Sequence, residues 1–98
     1  MAKKFLILIH GENYLCKEGD GVIPKGFYVT RCVEAVDAES AQEVALDMVR
    51  DDQALANIVN DETNTPWLSI DKVSEVDEWT ALKPPGSGFA FYIEEDEN

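Results

Sequence analysis

Residues 4–16 read K-F-L-I-L-I-H-G-E-N-Y-L-C, with an unbroken apolar run from Phe5 to Ile9. In an extended strand successive side chains alternate between two faces. Phe5, Ile7, Ile9, Gly11, Asn13 and Leu15 then share one side, and Leu6, Leu8, His10, Glu12, Tyr14 and Cys16 the other. A strand apolar on both faces belongs in the middle of a sheet or under two layers. Within it, Gly11 marks a bulge or a close approach of backbone. Residues 17–26, K-E-G-D-G-V-I-P-K-G, are dense in turn formers and predict a reversal centred near Asp20 to Val22. Residues 27–36, F-Y-V-T-R-C-V-E-A-V, follow as a second strand rich in aromatic and β-branched side chains. These two strands are expected to pair antiparallel, and that turn centre sets Glu12 roughly opposite Arg31 on the same face.

The periodicity then changes from two to about 3.6. Asp37 is placed to cap a helix over residues 38–50, with Glu39 and Glu43 favouring the same helix end. Ala41, Val44, Ala45, Met48 and Val49 recur at helical spacing and predict one apolar stripe to lie on the sheet, while Gln42, Glu43, Asp47 and Arg50 face water. Asp51-Asp52 interrupts the pattern, and Ala54, Leu55, Ile58 and Val59 predict a short second helix or a bent extension of the first, which N-D-E-T-N-T-P at 60–66 ends. Leu68 and Ile70 alternate with Ser69 and Asp71, which predicts a strand beginning at Trp67. P-P-G-S-G at 84–88 reads as a turn, F-A-F-Y-I at 89–93 as a last strand, and residues 94–98 as an acidic tail expected to fray. The expected fold is a single α+β domain over residues 1–98: a two-layer sandwich of antiparallel sheet, one main helix and a short second helix, in the order β-β-α-α-β-β. Helices on one side leave the other sheet face partly apolar, which points to self-association.

Composition narrows the partners more than the fold. Twenty acidic residues against eight basic ones give the 98-residue chain a formal charge of −12, and its apolar fraction of 45% is too high for a disordered chain. That charge repels nucleic acid and anionic membranes, and there is no basic stripe to offset it. No apolar run approaches the length of a membrane span, and the start of the chain lacks a signal-peptide cleavage pattern, so a cytoplasmic location is expected. Cys16 and Cys32 have no CxxC spacing and fall on opposite faces several residues apart in register, the pattern of buried thiols.

His10 is the only histidine, and no nucleophile lies near it at a diagnostic spacing. Glu12 and Arg31 read either as a cross-strand ion pair or as an anion or carboxylate pocket, with Arg31 donating in a fork and His10 and Tyr14 beside it. The paired acids, among them Asp51-Asp52 and Asp61-Glu62, match no EF-hand pattern, and the glycines form no phosphate loop. Neither a catalytic residue nor a metal site or cofactor is assigned. Trp67, Trp79, Phe89, Phe91 and Tyr92 make the second half aromatic, which suits core or dimer-interface packing or a ligand-stacking surface.

The stretch G-F-Y-V-T-R at 26–31, with V-E-A at 33–35, G-E-N-Y-L at 11–15 and G-F-A-F-Y at 88–92, resembles a group of small bacterial α/β proteins with no assigned function. The resemblance implies a compact bacterial α/β domain and transfers no catalytic residue. The expected function is a homodimeric structural or protein-interaction domain. The alternative is a small-molecule binding protein or minor enzyme using a cleft near Arg31, Glu12 and His10.

Overall fold

The structure, a computed structural model, describes residues 2–77 and 89–94. The turn expected at 84–88, Trp79 and the tail at 95–98 lie outside the described residues. The elements are β1 (Lys3–Glu18), β2 (Gly21–Ala35), α1 (Ala38–Arg50), a 3-10 turn (Gln53–Leu55), β3 (Trp67–Val76) and β4 (Ala90–Ile93). All pairings are antiparallel, in the sheet order β3-β1-β2-β4. The architecture is therefore the expected open sheet with one main helix. β1 is central, as its two apolar faces require.

The hairpin between β1 and β2 closes tighter than expected. Glu18 pairs with Gly21, so the turn is the two residues Gly19-Asp20, with Gly19 at φ 59. That register sets Ile7, not Glu12, opposite Arg31, and aligns His10 with Tyr28 and Leu6 with Cys32. Cys16 pairs with Ile23, and the two cysteines are far apart in register as expected.

The larger correction is inside β1. Tyr14 pairs with Lys25 but Gly11 pairs with Phe27, so Glu12 and Asn13 together oppose Gly26. This is a β-bulge, adjoining the glycine at which the sequence suggests one, and Asn13 adopts φ 61 to make it. The extra residue reverses the alternation. Phe5, Ile7, Ile9 and Gly11 are buried, then Tyr14 and Cys16, so those last two do not share the face of Leu6, Leu8 and His10.

A bulge leaves main-chain groups without ladder partners, and they need others when partly buried. Asn60 supplies them: its Oδ1 accepts from the Leu15 amide at 2.9 Å, and its Nδ2 donates to the Asn13 carbonyl at 2.9 Å. Beyond the bulge the loop continues as a makeshift strand. The Val59 amide donates to Leu15 O at 2.8 Å, the Lys17 amide donates to Asn57 O at 3.0 Å, and Cys16 bridges Ile58. The expected short second helix is the 3-10 turn Gln53–Leu55, and this pairing joins residues 57–59 beyond it to β1. Their backbone completes the edge of β1.

α1 has the expected bounds, and Asp37 Oδ1 accepts from the Ser40 amide at 2.8 Å. Its buried row is narrower than the predicted stripe: Ala41, Ala45 and Val49 are covered, whereas Val44 and Met48 are exposed. Small alanines let the helix lie close to the sheet, over a core of Phe5, Ile7, Ile9, Phe27, Val29 and Val33. Burying side chains such as Ile7, Ile9 and Phe27 stabilises the fold by about 2 kcal/mol each. Glu94, assigned to the tail, is tied down: its amide donates to Pro24 O and its carboxylate accepts from the Asn13 amide, both at 3.0 Å.

Replacing Asn60 with Ala strands the Leu15 amide and Asn13 carbonyl, and chemical denaturation should show a loss of about 1–2 kcal/mol. Acid acts on different sites. The Ser40 amide holds the Asp37 carboxyl below its usual range, and the Thr63 hydroxyl and then its amide do the same for Asp61. Stability from a depressed carboxyl pKa is fully present above the unfolded value and is lost as pH falls through the folded one. The unfolding midpoint should therefore fall between about pH 5 and pH 2, and it should fall less steeply in an Asp37→Ala, Asp61→Ala double variant.

Candidate functional site

On the sheet face away from α1, three rings from three strands meet. His10 of β1 and Tyr28 of β2 are cross-strand partners, and their rings stack with centroids 4.3 Å apart and planes 7° from parallel. Tyr92 of β4 is one strand further away, yet its Oη lies 2.5 Å from His10 Nε2. Gly26 makes this reach possible. A Cβ at Gly26 would sit 2.2 Å from Tyr92 Cζ, so only a glycine in β2 lets the tyrosine lie across that strand. Burial, followed by the charges of Glu94, Tyr28 and Glu12, pushes the Tyr92 phenol up. The phenol keeps its proton at neutral pH, and which partner donates in its hydrogen bond with His10 Nε2 is set by the imidazole tautomer. The other ring nitrogen, Nδ1, faces Glu12 Oε1 at 3.7 Å.

Arg31 is elsewhere. It projects from β2 toward the α1 side, where it is buried. Nη2 donates to Asp52 Oδ2 at 2.8 Å, Nη1 donates to Thr30 O at 3.0 Å, and the guanidinium lies 5.4 Å from the Phe89 ring centre. Asp52 uses its second oxygen to accept from the Ala54 amide at 2.9 Å. This carboxylate thus caps the 3-10 turn and ties it to the sheet. Arg31 and His10 are on opposite faces, so the expected cleft of Arg31, Glu12 and His10 does not assemble. Arg31 is paired to Asp52, not to Glu12.

Tyr14 is also on the α1 side, stacked obliquely on Phe27 at 5.0 Å. It lines a cleft of about 300 Å³ with Arg50, Leu55, Ile58, Pro66 and Leu68. Of the four expected site residues, the structure therefore brings together only His10 and Glu12. The partners of His10 are Tyr28 and Tyr92 rather than Arg31 and Tyr14. Tyr28 follows from the hairpin register once the turn is Gly19-Asp20, whereas the reach of Tyr92 depends on long-range pairing.

The open-face group can stack against flat partners and exchange hydrogen bonds through His10 and the tyrosines. Burial pushes both thiols up, which keeps Cys16 and Cys32 protonated and poorly nucleophilic. No cluster of three or more His, Cys, Asp or Glu able to hold a metal occurs among the described residues, and no helix there is long and apolar enough to cross a membrane. Compared with known proteins, the chain matches no family model, no curated protein and no solved structure. Residue roles here rest on geometry alone.

Because Arg31 ties the sheet to the chain after α1, Arg31→Met should lower stability by about 1–3 kcal/mol in urea denaturation. The His10 ring proton shifts in an NMR spectrum should stay unchanged, since the stack is on the other face.

Proposed function

We propose that this protein is a homodimeric interaction domain in which the open sheet face seats a second copy of the chain. The observation that carries this reading is the one-sided cover of the sheet: α1 packs on β1, β2 and β3 from a single side. Leu6, Leu8, Thr30, Lys72 and Ser74 line a shallow depression of about 190 Å³ on the other side. Tyr28 and Tyr92 flank it, 40% and 37% exposed. Half-buried leucines beside tyrosines resemble the apolar centre and aromatic anchors of protein interfaces.

Charge favours the same face. A chain at −12 repels its own copies wherever acids are dense, and α1 presents Glu39, Glu43 and Asp47 outward. The open face sets Lys4 and Lys72 among Glu12, Glu34 and Glu94, a mixed set of charges that can pair between two copies. A bacterial origin and a cytoplasmic location accord with this reading, which needs neither cofactor nor nucleic acid.

Sedimentation velocity tests it. The expected result is a dimer that Leu8→Glu converts to a monomer with an unchanged circular dichroism spectrum, while Met48→Glu on the exposed side of α1 leaves the dimer intact. A monomer for the unaltered chain at millimolar concentration, or a dimer that survives Leu8→Glu, overturns the reading.

A further inference from the structure

The cleft around Tyr14 lies on the opposite side of the sheet from the open face, and its chemistry is different. Four of its lining residues, Leu55, Ile58, Pro66 and Leu68, are apolar, and the other two are Tyr14 and Arg50. It is built by the tertiary fold: the bulge turns Tyr14 to this side, the last turn of α1 brings Arg50, and the chain after α1 brings Leu55, Ile58 and Pro66.

Tyr14 is only 5% exposed, and its phenol has no hydrogen-bond partner among the described residues. A buried hydroxyl without a partner is costly and uncommon in a folded chain. Arg50 lines the same cleft, and its positive charge opposes the rise that burial gives this phenol. Arg50 is half-exposed and donates Nη1 to Asp47 Oδ1 at 3.1 Å, from the outer side of the helix. A phenol O–H and a planar guanidinium lining one apolar cleft are two donors that suit a planar two-oxygen anion. The volume of about 300 Å³ is at the small end of ligand sites, and no Asp or Glu lines it among the described residues.

We infer that this cleft binds a small amphipathic monocarboxylate, its tail against Leu55, Ile58, Pro66 and Leu68 and its head between the Tyr14 hydroxyl and the Arg50 guanidinium. Binding would satisfy the phenol that the unliganded fold leaves without a partner. A dianionic phosphate is a poorer match, because two donors leave most of its oxygens unserved while the apolar wall stays exposed.

The test titrates the full chain with sodium octanoate, followed by backbone amide shifts of Leu55, Ile58 and Leu68, with octylamine as the equal-tail cation. Octanoate should give saturable shifts, and octylamine should bind at least about tenfold more weakly. Arg50→Gln and Tyr14→Phe should each weaken octanoate by about tenfold. Without ligand, Tyr14→Phe should leave the unfolding midpoint unchanged or raised, since it removes an unpaired buried hydroxyl. No saturable shift, equal affinity for octylamine, or a lowered midpoint for Tyr14→Phe would overturn the inference. Leu8→Glu, which tests the dimer, should leave octanoate affinity unchanged, so the two proposals fail separately.

Discussion

Two residues of β1, Glu12 and Asn13, stand against the single residue Gly26 of β2, and the side-chain phase of the longest strand reverses between them. Ahead of this point the odd-numbered residues Phe5, Ile7 and Ile9 are buried, and beyond it the even-numbered Tyr14 and Cys16. Without the bulge, the hairpin end of β1 would offer Asn13 and Leu15 to the core and turn Tyr14 outward. Asn13 accepts the left-handed backbone this requires, and side chains distant in sequence hold it there. Asn60, Asn64 and Glu94 each bond to Asn13, so the loop after α1 and the end of β4 both lock the phase of β1.

Glycine placement governs how strands communicate on either side of the sheet. Phe27 covers Gly11 on the α1 side, where a Cβ would come within 2.4 Å of the ring, and Tyr92 covers Gly26 on the open side. In both cases an aromatic ring lies flat across a neighbouring strand because nothing projects from it. On one side the result is a core ring contacting Tyr14, Phe89 and Phe91. On the other it is a tyrosine that reaches His10 across an intervening strand. The same local device thus serves the core and the recognition surface.

The sheet also keeps two chemistries apart. The open face combines half-buried leucines, tyrosines and charges of both signs, which suits contact with another protein surface. The α1 side holds Arg31 in a tie to Asp52 and Tyr14 in an apolar cleft near Arg50. A single pocket built from Arg31, Glu12, His10 and Tyr14 would require one face for all four, and the pleat together with the bulge distributes them over two.

Hydrophobic periodicity by itself determined the antiparallel hairpin, the central position of β1, the bounds and cap of α1, and the strands at 67 and 90. Each depends on neighbours a few residues away: the alternation of a strand, the stripe of a helix, or the oxygen of Asp37 above its own first turn. Gly11 even announced the neighbourhood of the bulge. The phase of Tyr14, the partner of Arg31, the pairing of residues 57–59 with β1 and the reach of Tyr92 were decided only by tertiary structure. In each of these a polar group or ring finds its partner 21 to 82 residues away along the chain, as Arg31 does in Asp52 and His10 in Tyr92. Local pattern fixes which residues are extended or helical, but the partner that satisfies a main-chain amide or fills the space above a glycine is known only once the chain has closed on itself.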